Sequence, residues 1–247
     1  MSNTPLKPHP TLAQHYGSDE KRQDYIDGLF DASAPHYDWI CRVMSLGSGQ
    51  SYRKDALLRA GLQPGHRVLD VATGTGLVAR SALQITGDPA AVIGLDPSTG
   101  MLQECRRQLP VRLVQGRGET LPFPSGHFDF LSMGYALRHV PDLRLAFAEY
   151  HRVLRSGGSV LILEITRPRS RAGMVFTRFY LKTVVPLITR WGTHSRQAEH
   201  LMKYYWDTIE GCVPPETILA ALRDVGFADV ERQVMGGILS EYRGKKG

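Results

Sequence analysis

Two glycines one residue apart, Gly74 and Gly76, follow an apolar run that ends in an acid, Val68-Leu69-Asp70, and the pattern after them turns helical. A backbone this bare at the end of a strand lets a ligand lie against it, because a Cβ would hold the ligand off. The helix starting near Leu77 turns its free N–H groups toward whatever binds. Gly74-Thr75-Gly76-Leu77-Val78-Ala79 satisfies G-x-G-x-x-A, and Asp96 follows at the end of a second apolar stretch, about where an acid accepts hydrogen bonds from ribose hydroxyls. Two ligands fit this pattern, a nicotinamide dinucleotide and S-adenosylmethionine. Asp70 favours the second, since a carboxylate there repels a diphosphate and suits a sulfonium and an ammonium. Its structural alternative is a turn cap that accepts backbone N–H bonds.

These residues need a frame that brings strand ends together. From His66 onward apolar strands alternate with amphipathic helices: HRVLDVA then GLVARSALQI, AAVIGLD then TGMLQECRRQL, VRLVQG, HFDFLSMGYAL then DLRLAFAEYHRVL, and GSVLILEI. The alternation predicts an α/β fold, a mostly parallel sheet with helices on both faces. Ligands of such sheets sit beyond the carboxyl ends of the strands, where strand order reverses. Arg155-Ser156-Gly157-Gly158 reads as a helix stop and a turn into the last of these strands. Residues 1–22, with Pro5, Pro8 and Pro10, are expected to be a disordered or extended lead-in, and residues 23–62 an N-terminal helical cap broken at Gly47 and Gly49. Residues 63–247 are expected to form the ligand-binding domain, with a helical insertion at about 168–212, a helix from Pro215 and two closing strands, FADVERQVM and ILSEYRG.

The composition, 42% hydrophobic and 22% charged over 247 residues, is that of a globular chain. No apolar run is long enough to span a bilayer. A net charge of +6 invites an anionic partner or surface. Cys41, Cys105 and Cys212 form neither a CxxC pair nor a Cys/His cluster at metal spacing, so no metal is expected and the thiols read as reduced, in a cytoplasmic protein.

VLDVATGTG, GLDPSTGML, ETLPFPSGHFDF, YALRHV, RVLRSGG and LEITRP stand in one order, with LFDASAPHYD…MSLG upstream and GGILSEYRGKK at the end. Together they resemble the class I S-adenosylmethionine-dependent methyltransferases and, more narrowly, the ubiquinone/menaquinone C-methyltransferase family, from about Leu29 to Lys246. The resemblance implies a Rossmann-like, seven-stranded sheet whose last strand is antiparallel, and S-adenosylmethionine as cofactor. It implies that Asp70, Ala72, Thr73, Gly74 and Gly76 line the methionine part and that Asp96 holds the ribose hydroxyls. Pro97 and Met101 then pack near the adenine, and Gly116, Arg117, Gly118 and Met133 complete the cofactor site. Plain helix core is the alternative for Met101.

The chain departs from the family in several places. Where the family reads G-D-A-E before L-P-F, this chain has Gly116-Arg117-Gly118-Glu119, and a guanidinium cannot accept a hydrogen bond from an adenine amino group. The backbone around Gly118, or stacking by Arg117, is expected instead. Cys41 replaces the Asn of Y-D-x-x-N, His139 the Asn of L-R-N, and Tyr204-Tyr205-Trp206-Asp207-Thr208-Ile209 stands for Y-L-x-x-S-I. These changes fall where the family places substrate. Contacts from Tyr135, Glu164, Tyr204, Tyr205 and Trp206 are implied, with a substrate of this chain's own.

Methyl transfer from a sulfonium is an in-line displacement, in which an enzyme mainly aligns the partners. A ring carbon attacks well only when a ring oxygen gives up its proton, so a base is wanted near the end of the fourth strand. The resemblance puts Arg138 there, where a permanently protonated group stabilises a phenolate. His139 is the candidate to take the proton itself; its structural alternative is a hydrogen bond to the loop before Pro141. Tyr37, in the family's Y-D pair, and Glu164 are further candidates that are equally read as structural.

In AGMVFTRFYLKTVVPLITRW, Val175, Phe176, Phe179, Tyr180, Val184, Leu187, Ile188 and Trp191 make one helical face, bent near Pro186. Arg167, Arg169, Arg171, Arg178, Lys182 and Arg190 surround it. Such an element lies on an anionic membrane. The alternative is a lid whose apolar side forms the substrate pocket or a homodimer contact. Either one implies a hydrophobic acceptor, and aromatics that do not interleave with the basic residues argue against nucleic acid. The expectation is a cytoplasmic methyltransferase of EC class 2.1.1, peripheral at most on the inner membrane face, that C-methylates a phenol- or quinol-like or otherwise lipophilic small molecule. The alternatives are an N-methyltransferase of a phospholipid amine, a non-catalytic S-adenosylmethionine-binding module and a dehydrogenase.

Overall fold

Strand β1 (Val68–Val71) is buried at every residue, as a strand covered by helices on both faces must be. It pairs in parallel with β2 (Val92–Asp96) on one side and, across the sheet, with β4 (Phe128–Gly134) on the other. With β3 (Arg112–Gln115), β5 (Leu154–Ile165), β6 (Phe227–Met235) and β7 (Leu239–Lys246), the sheet has the order β3-β2-β1-β4-β5-β7-β6. Strand β7 runs antiparallel between β5 and β6. The expected seven-stranded, mostly parallel sheet with an antiparallel last strand is therefore what the chain forms. Its order reverses at β1, so the carboxyl ends of β1, β2 and β4 frame the crevice where a ligand sits. The computed structural model describes residues 4–168, 170–193 and 196–247; Arg169 and the side chain of Arg190 lie outside them.

The helices, in chain order, are α1 (Ala13–Tyr16), α2 (Asp19–Met44), α3 (Gly49–Arg59), α4 (Leu77–Thr86), α5 (Thr99–Gln108), α6 (Leu143–Val153), α7 (Arg171–Phe179), α8 (Val185–Thr193), α9 (Arg196–Gly211) and α10 (Pro215–Asp224). On one face of the sheet Leu69, Val71 and Leu131 pack on Phe147 and Tyr150 of α6 and Leu222 of α10. On the other, Val68, Phe130 and Leu161 pack on Leu57 of α3 and Ala79 and Ala82 of α4. A third core joins Ile26, Leu29 and Ile40 of α2 to Leu181, Val185 and Trp206 of the insertion. The N-terminal helices and the insertion, expected as separate pieces, thus share one hydrophobic interior over the carboxyl edge of the sheet.

Two local readings, the lead-in and Arg155–Gly158, differ from the structure, and two helical stretches carry a proline inside them. The lead-in is pinned: the Leu143 N–H donates to the carbonyl of Leu6 at 3.0 Å and the Val213 N–H to that of Pro8 at 2.8 Å, while His9 and Tyr16 are buried. Prolines there cannot donate, but their carbonyls accept. Helix α2 runs unbroken through Pro35, because residues buried on both sides of the proline outweigh one missing rung. Arg155–Gly158 is no turn before a strand but a bulge within β5, where the pairing to β4 jumps from Leu154 to Ser159 and Gly157 takes φ +78°. The bend at Pro186 is a π-helical turn, Tyr180–Val184, which lets the chain carry a proline whose ring would clash with the carbonyl four residues back.

Candidate active site

The carboxyl ends of β1, β2 and β4 open into a cavity with about 780 Å³ of empty space. In register, Asp70 stands between Gly94 and Ser132. Its carboxylate accepts from Ser132 Oγ and Thr73 Oγ1, each at 2.7 Å, and from the Ala79 N–H at 3.1 Å. Gly94 leaves the room this needs, since a Cβ there would lie 2.9 Å from the Thr73 methyl. Burial pushes the Asp70 carboxyl up to about 6, against the pull of these bonds. Asp70 therefore caps the turn from underneath the loop and is not among the residues that line the cavity. Its charge still occupies the amino end of α4, the place a diphosphate would use.

The loop above it is shaped by three left-handed residues in a row of five: Ala72 (φ +54°), Gly74 (+57°) and Gly76 (+88°). Ala72 and Gly74 line the cavity, and nothing closer than 4.0 Å, the Met101 sulfur, faces a Cβ at Gly74. Gly76, Thr73 and Gly116 do not line it; a Cβ on Gly76 would strike Cys105 and Leu109 at 2.6 Å, so that glycine serves packing. Asp96 does line the cavity. It accepts from the Gly74 N–H at 2.8 Å and the Ser98 N–H at 2.9 Å, and burial pushes its carboxyl up to about 6. Pro97, Met101, Gly118 and Met133 share the wall.

Helix α2 roofs this cavity, and sequence reasoning missed its part. Asp27 accepts from Arg117 Nη2 at 2.6 Å; Asp31 accepts from Ser98 Oγ at 2.5 Å and the Gly100 N–H at 2.9 Å; Asp38 accepts from Thr75 Oγ1. The signal was the spacing i, i+4, i+11, one helical face, hidden because nothing local says what that face meets. Arg117 is thus an ion-pair partner of the roof rather than a free stacking plate. Glu119, two residues on, also lines the cavity.

A second cavity, with about 1230 Å³ of empty space, adjoins the first across Tyr37 and Tyr135, which line both. Its walls come from α2, α3, the insertion, α9 and the start of β7, and are mostly apolar: Ile40, Met44, Ile165, Leu181, Met202 and Leu239 among them. Of the expected substrate residues, Tyr135 and Tyr205 reach it, while Tyr204, Trp206 and Glu164 do not. Burial raises the Tyr37 hydroxyl well above the usual phenol range and holds it in its protonated form.

Arg138 is fully buried and lines neither cavity. Its Nε donates to Glu164 at 2.9 Å and its Nη1 to Thr208 Oγ1 at 2.6 Å and the Tyr205 carbonyl at 3.2 Å, with the guanidinium 4.4 Å over the Tyr205 ring. These partners tie β4, β5 and α9 together, and Arg138 and Glu164 lie behind the walls of both cavities. Beside them His139 does line the first cavity. Its Nδ1 lies 3.2 Å from Tyr204 Oη, and its buried Nε2 has no hydrogen-bond partner among the described residues. Burial, with help from Arg138 and Arg22, holds the imidazole well below its ordinary value, so it is neutral.

The first cavity fits S-adenosylmethionine. Asp96 keeps free lone pairs for ribose hydroxyls, Leu95, Pro97, Met101 and Gly118 make an apolar slot for a base, and the bare face of Gly74 admits close approach. Among solved structures, a possible histamine N-methyltransferase of Thermotoga maritima shares the fold with a TM-score of 0.63 at 21% identity, covering 89% of this chain and 99% of that one. Phosphoethanolamine N-methyltransferase 2 of Haemonchus contortus, solved with S-adenosylmethionine, gives 0.62 at 18% identity, covering 91% of this chain and 60% of that one. The demethylmenaquinone methyltransferase of Symbiobacterium thermophilum is 32% identical over 88% of this chain and 90% of its own. The ubiquinone/menaquinone biosynthesis C-methyltransferase of Geobacter sulfurreducens is 34% identical over 92% of this chain and 90% of its own. The family model of the ubiE/COQ5 methyltransferases matches residues 17–246. The chain belongs to the ubiE/COQ5 methyltransferase family and is an S-adenosylmethionine-dependent methyltransferase.

Proposed function

We propose that this methyltransferase acts on a ring carbon of a lipophilic phenol or quinol. The observation that carries this reading is the large apolar cavity joined to the cofactor cavity through Tyr37 and Tyr135. The names of the relatives, which act in menaquinone and ubiquinone biosynthesis, support it. No carboxylate lines the second cavity among the described residues, so an amine acceptor would find no counter-charge there; this weighs against the phospholipid amine.

When bound, S-adenosylmethionine supplies a methyl carbon activated by a sulfonium. Asp96 and the loop at Ala72–Gly74 hold the nucleoside and amino-acid ends, and α2 closes over them to exclude water. Tyr37 and Tyr135 stand where the two cavities meet and fix the ring between them. His139 lines the cofactor cavity, its Nδ1 3.2 Å from Tyr204 Oη and its buried Nε2 without a partner among the described residues. A ring carbon that has gained a methyl group is a strong carbon acid, so a neutral imidazole of low basicity suffices to remove its proton.

The second cavity opens among exposed apolar side chains. Leu46 and Phe176 line it and are 85% and 68% exposed, and Val175, Phe179, Leu187 and Trp191 extend the patch. No helix among the described residues is long and apolar enough to cross a membrane. The patch, with Arg171, Arg178 and Lys182 nearby in the chain, supports peripheral contact with an anionic bilayer from which a lipophilic acceptor enters. The test is incubation with methyl-labelled S-adenosylmethionine and a host lipid extract, or 1,4-naphthoquinol kept reduced. Label on an aromatic carbon is expected; label confined to phospholipid amines would overturn the reading.

A further inference from the structure

Arg53, on α3, is only 6% exposed and lines the second cavity. Its Nε is wholly buried without a hydrogen-bond partner among the described residues, and no carboxylate there pairs with it. The guanidinium lies 5.5 Å from the centroid of the Tyr135 ring, the ring shared by both cavities. It is the one charged side chain among the described residues of that wall. The other titratable groups of that wall, Cys41 and the phenols of Tyr37, Tyr52, Tyr135 and Tyr205, are held in their neutral forms by burial; the buried Asp70 carboxyl feels the Arg53 charge from behind the wall, but its hydrogen bonds go to Thr73, Ser132 and the Ala79 N–H. The fold also makes room for it: a Cβ at Gly49 would lie 2.7 Å from Arg53 Nη1.

An unpaired guanidinium in an apolar cavity is costly, and folds keep such a group where a ligand completes it. Arg138 beside it shows the contrast, since every side of that buried guanidinium is answered by Glu164, Thr208 and backbone carbonyls. We propose that Arg53 is the anion-binding residue of the acceptor cavity, taking the deprotonated ring oxygen of an aromatic acceptor beside Tyr135. The inference rests on the reading of the second cavity as the acceptor site and adds its charge requirement: the acceptor is held as a phenolate, and Arg53 does for the ring oxygen what the family resemblance implied for Arg138. Planar, bidentate donation suits an oxyanion, and with the surrounding wall apolar the attraction is little screened.

The test uses the full chain loaded with S-adenosylhomocysteine and 4-nitro-1-naphthol, a bicyclic phenol whose deprotonated form is coloured. Absorbance titration reads the acidity of the bound probe. A cation within a few ångströms raises its acidity constant by about tenfold or more over the free phenol. The gain is expected to vanish in Arg53→Met, to persist in part in Arg53→Lys, and to shrink in Gly49→Ala, which displaces the guanidinium without removing the charge. Because Arg53 has no partner to orphan, Arg53→Met is expected to melt no lower than the parent chain. Equal acidity of the bound probe in the parent and in Arg53→Met overturns the assignment while leaving the acceptor cavity standing. A melting temperature lowered in both Arg53→Met and Arg53→Lys, with no change in probe acidity, marks a structural arginine and overturns it too. Failure of the probe to bind while S-adenosylhomocysteine does bind removes the acceptor reading and the inference with it.

Discussion

Asp96 meets two backbone N–H groups and still faces the cavity, so it couples loop geometry to ligand affinity. Asp96→Asn is expected to weaken S-adenosylmethionine binding by about 1.5–3 kcal/mol, the worth of hydrogen bonds to a charged group, as read by calorimetry. Its pH dependence has a definite sign. A carboxyl raised from 3.8 to about 6 is more protonated in the folded chain than in the unfolded one, so its contribution to stability is full below 3.8 and is lost as pH rises through about 6. Affinity runs the other way, holding above about pH 6 and falling below it, because the ribose hydroxyls need an ionised acceptor. At His139 the imidazole is already neutral at its ordinary value. Hence the rate should show no inflection near pH 6.5, and His139→Ala should lower kcat by about a hundredfold. Methylation of an amine would need no such base and would leave the rate of His139→Ala near that of the parent. Glu164→Gln, which breaks a fully buried ion pair, should instead cost about 3–5 kcal/mol of stability, measured by denaturant unfolding.

At the scale of elements, the loop between β1 and α4 and the roof helix α2 carry the site. Gly76→Ala forces a Cβ to within 2.6 Å of Cys105 and Leu109 at a φ of +88°. Strain and overpacking together are expected to destabilise the chain by about 2–4 kcal/mol, visible as a lowered melting temperature with or without cofactor. Asp27→Ala is a contrasting case. The Arg117 pair is partly exposed, so its loss should change stability by less than about 1 kcal/mol; release of S-adenosylhomocysteine, followed by stopped-flow fluorescence, should be several-fold faster as the roof loosens. The elements themselves were largely legible. Alternating apolar strands and amphipathic helices carry their own period, and β1, β2, β4 and the two last strands fall where that period puts them. The misread places, the pinned lead-in with its prolines and the bulge at Arg155–Gly158, are local breakers overridden by packing on either side.

At the scale of the whole molecule, the second, apolar cavity meets the exposed apolar side chains of the insertion, with basic residues of the insertion nearby in the chain. Vesicles containing phosphatidylglycerol should co-sediment the protein, less so as salt rises. Trp191→Ser with Phe179→Ser should remove most of that binding without lowering the melting temperature, since these side chains are 81% and 58% exposed already.

The sequence by itself determined the sheet, the bare loop, Asp96 and the family, because strand periodicity, positive-φ glycines and an acid at a strand end are set by residues close together in the chain. Tertiary structure alone decided which charges meet the ligands. Asp70 and Arg138 turned inward and were consumed by hydrogen bonds from neighbouring strands and α9, while Asp27 and Arg53 were brought to the cavities by helices from the amino-terminal end of the chain. A carboxylate and a guanidinium look alike in sequence whether paired or free; only the packing of distant elements fixes where their partners are, and so which charges are left for chemistry.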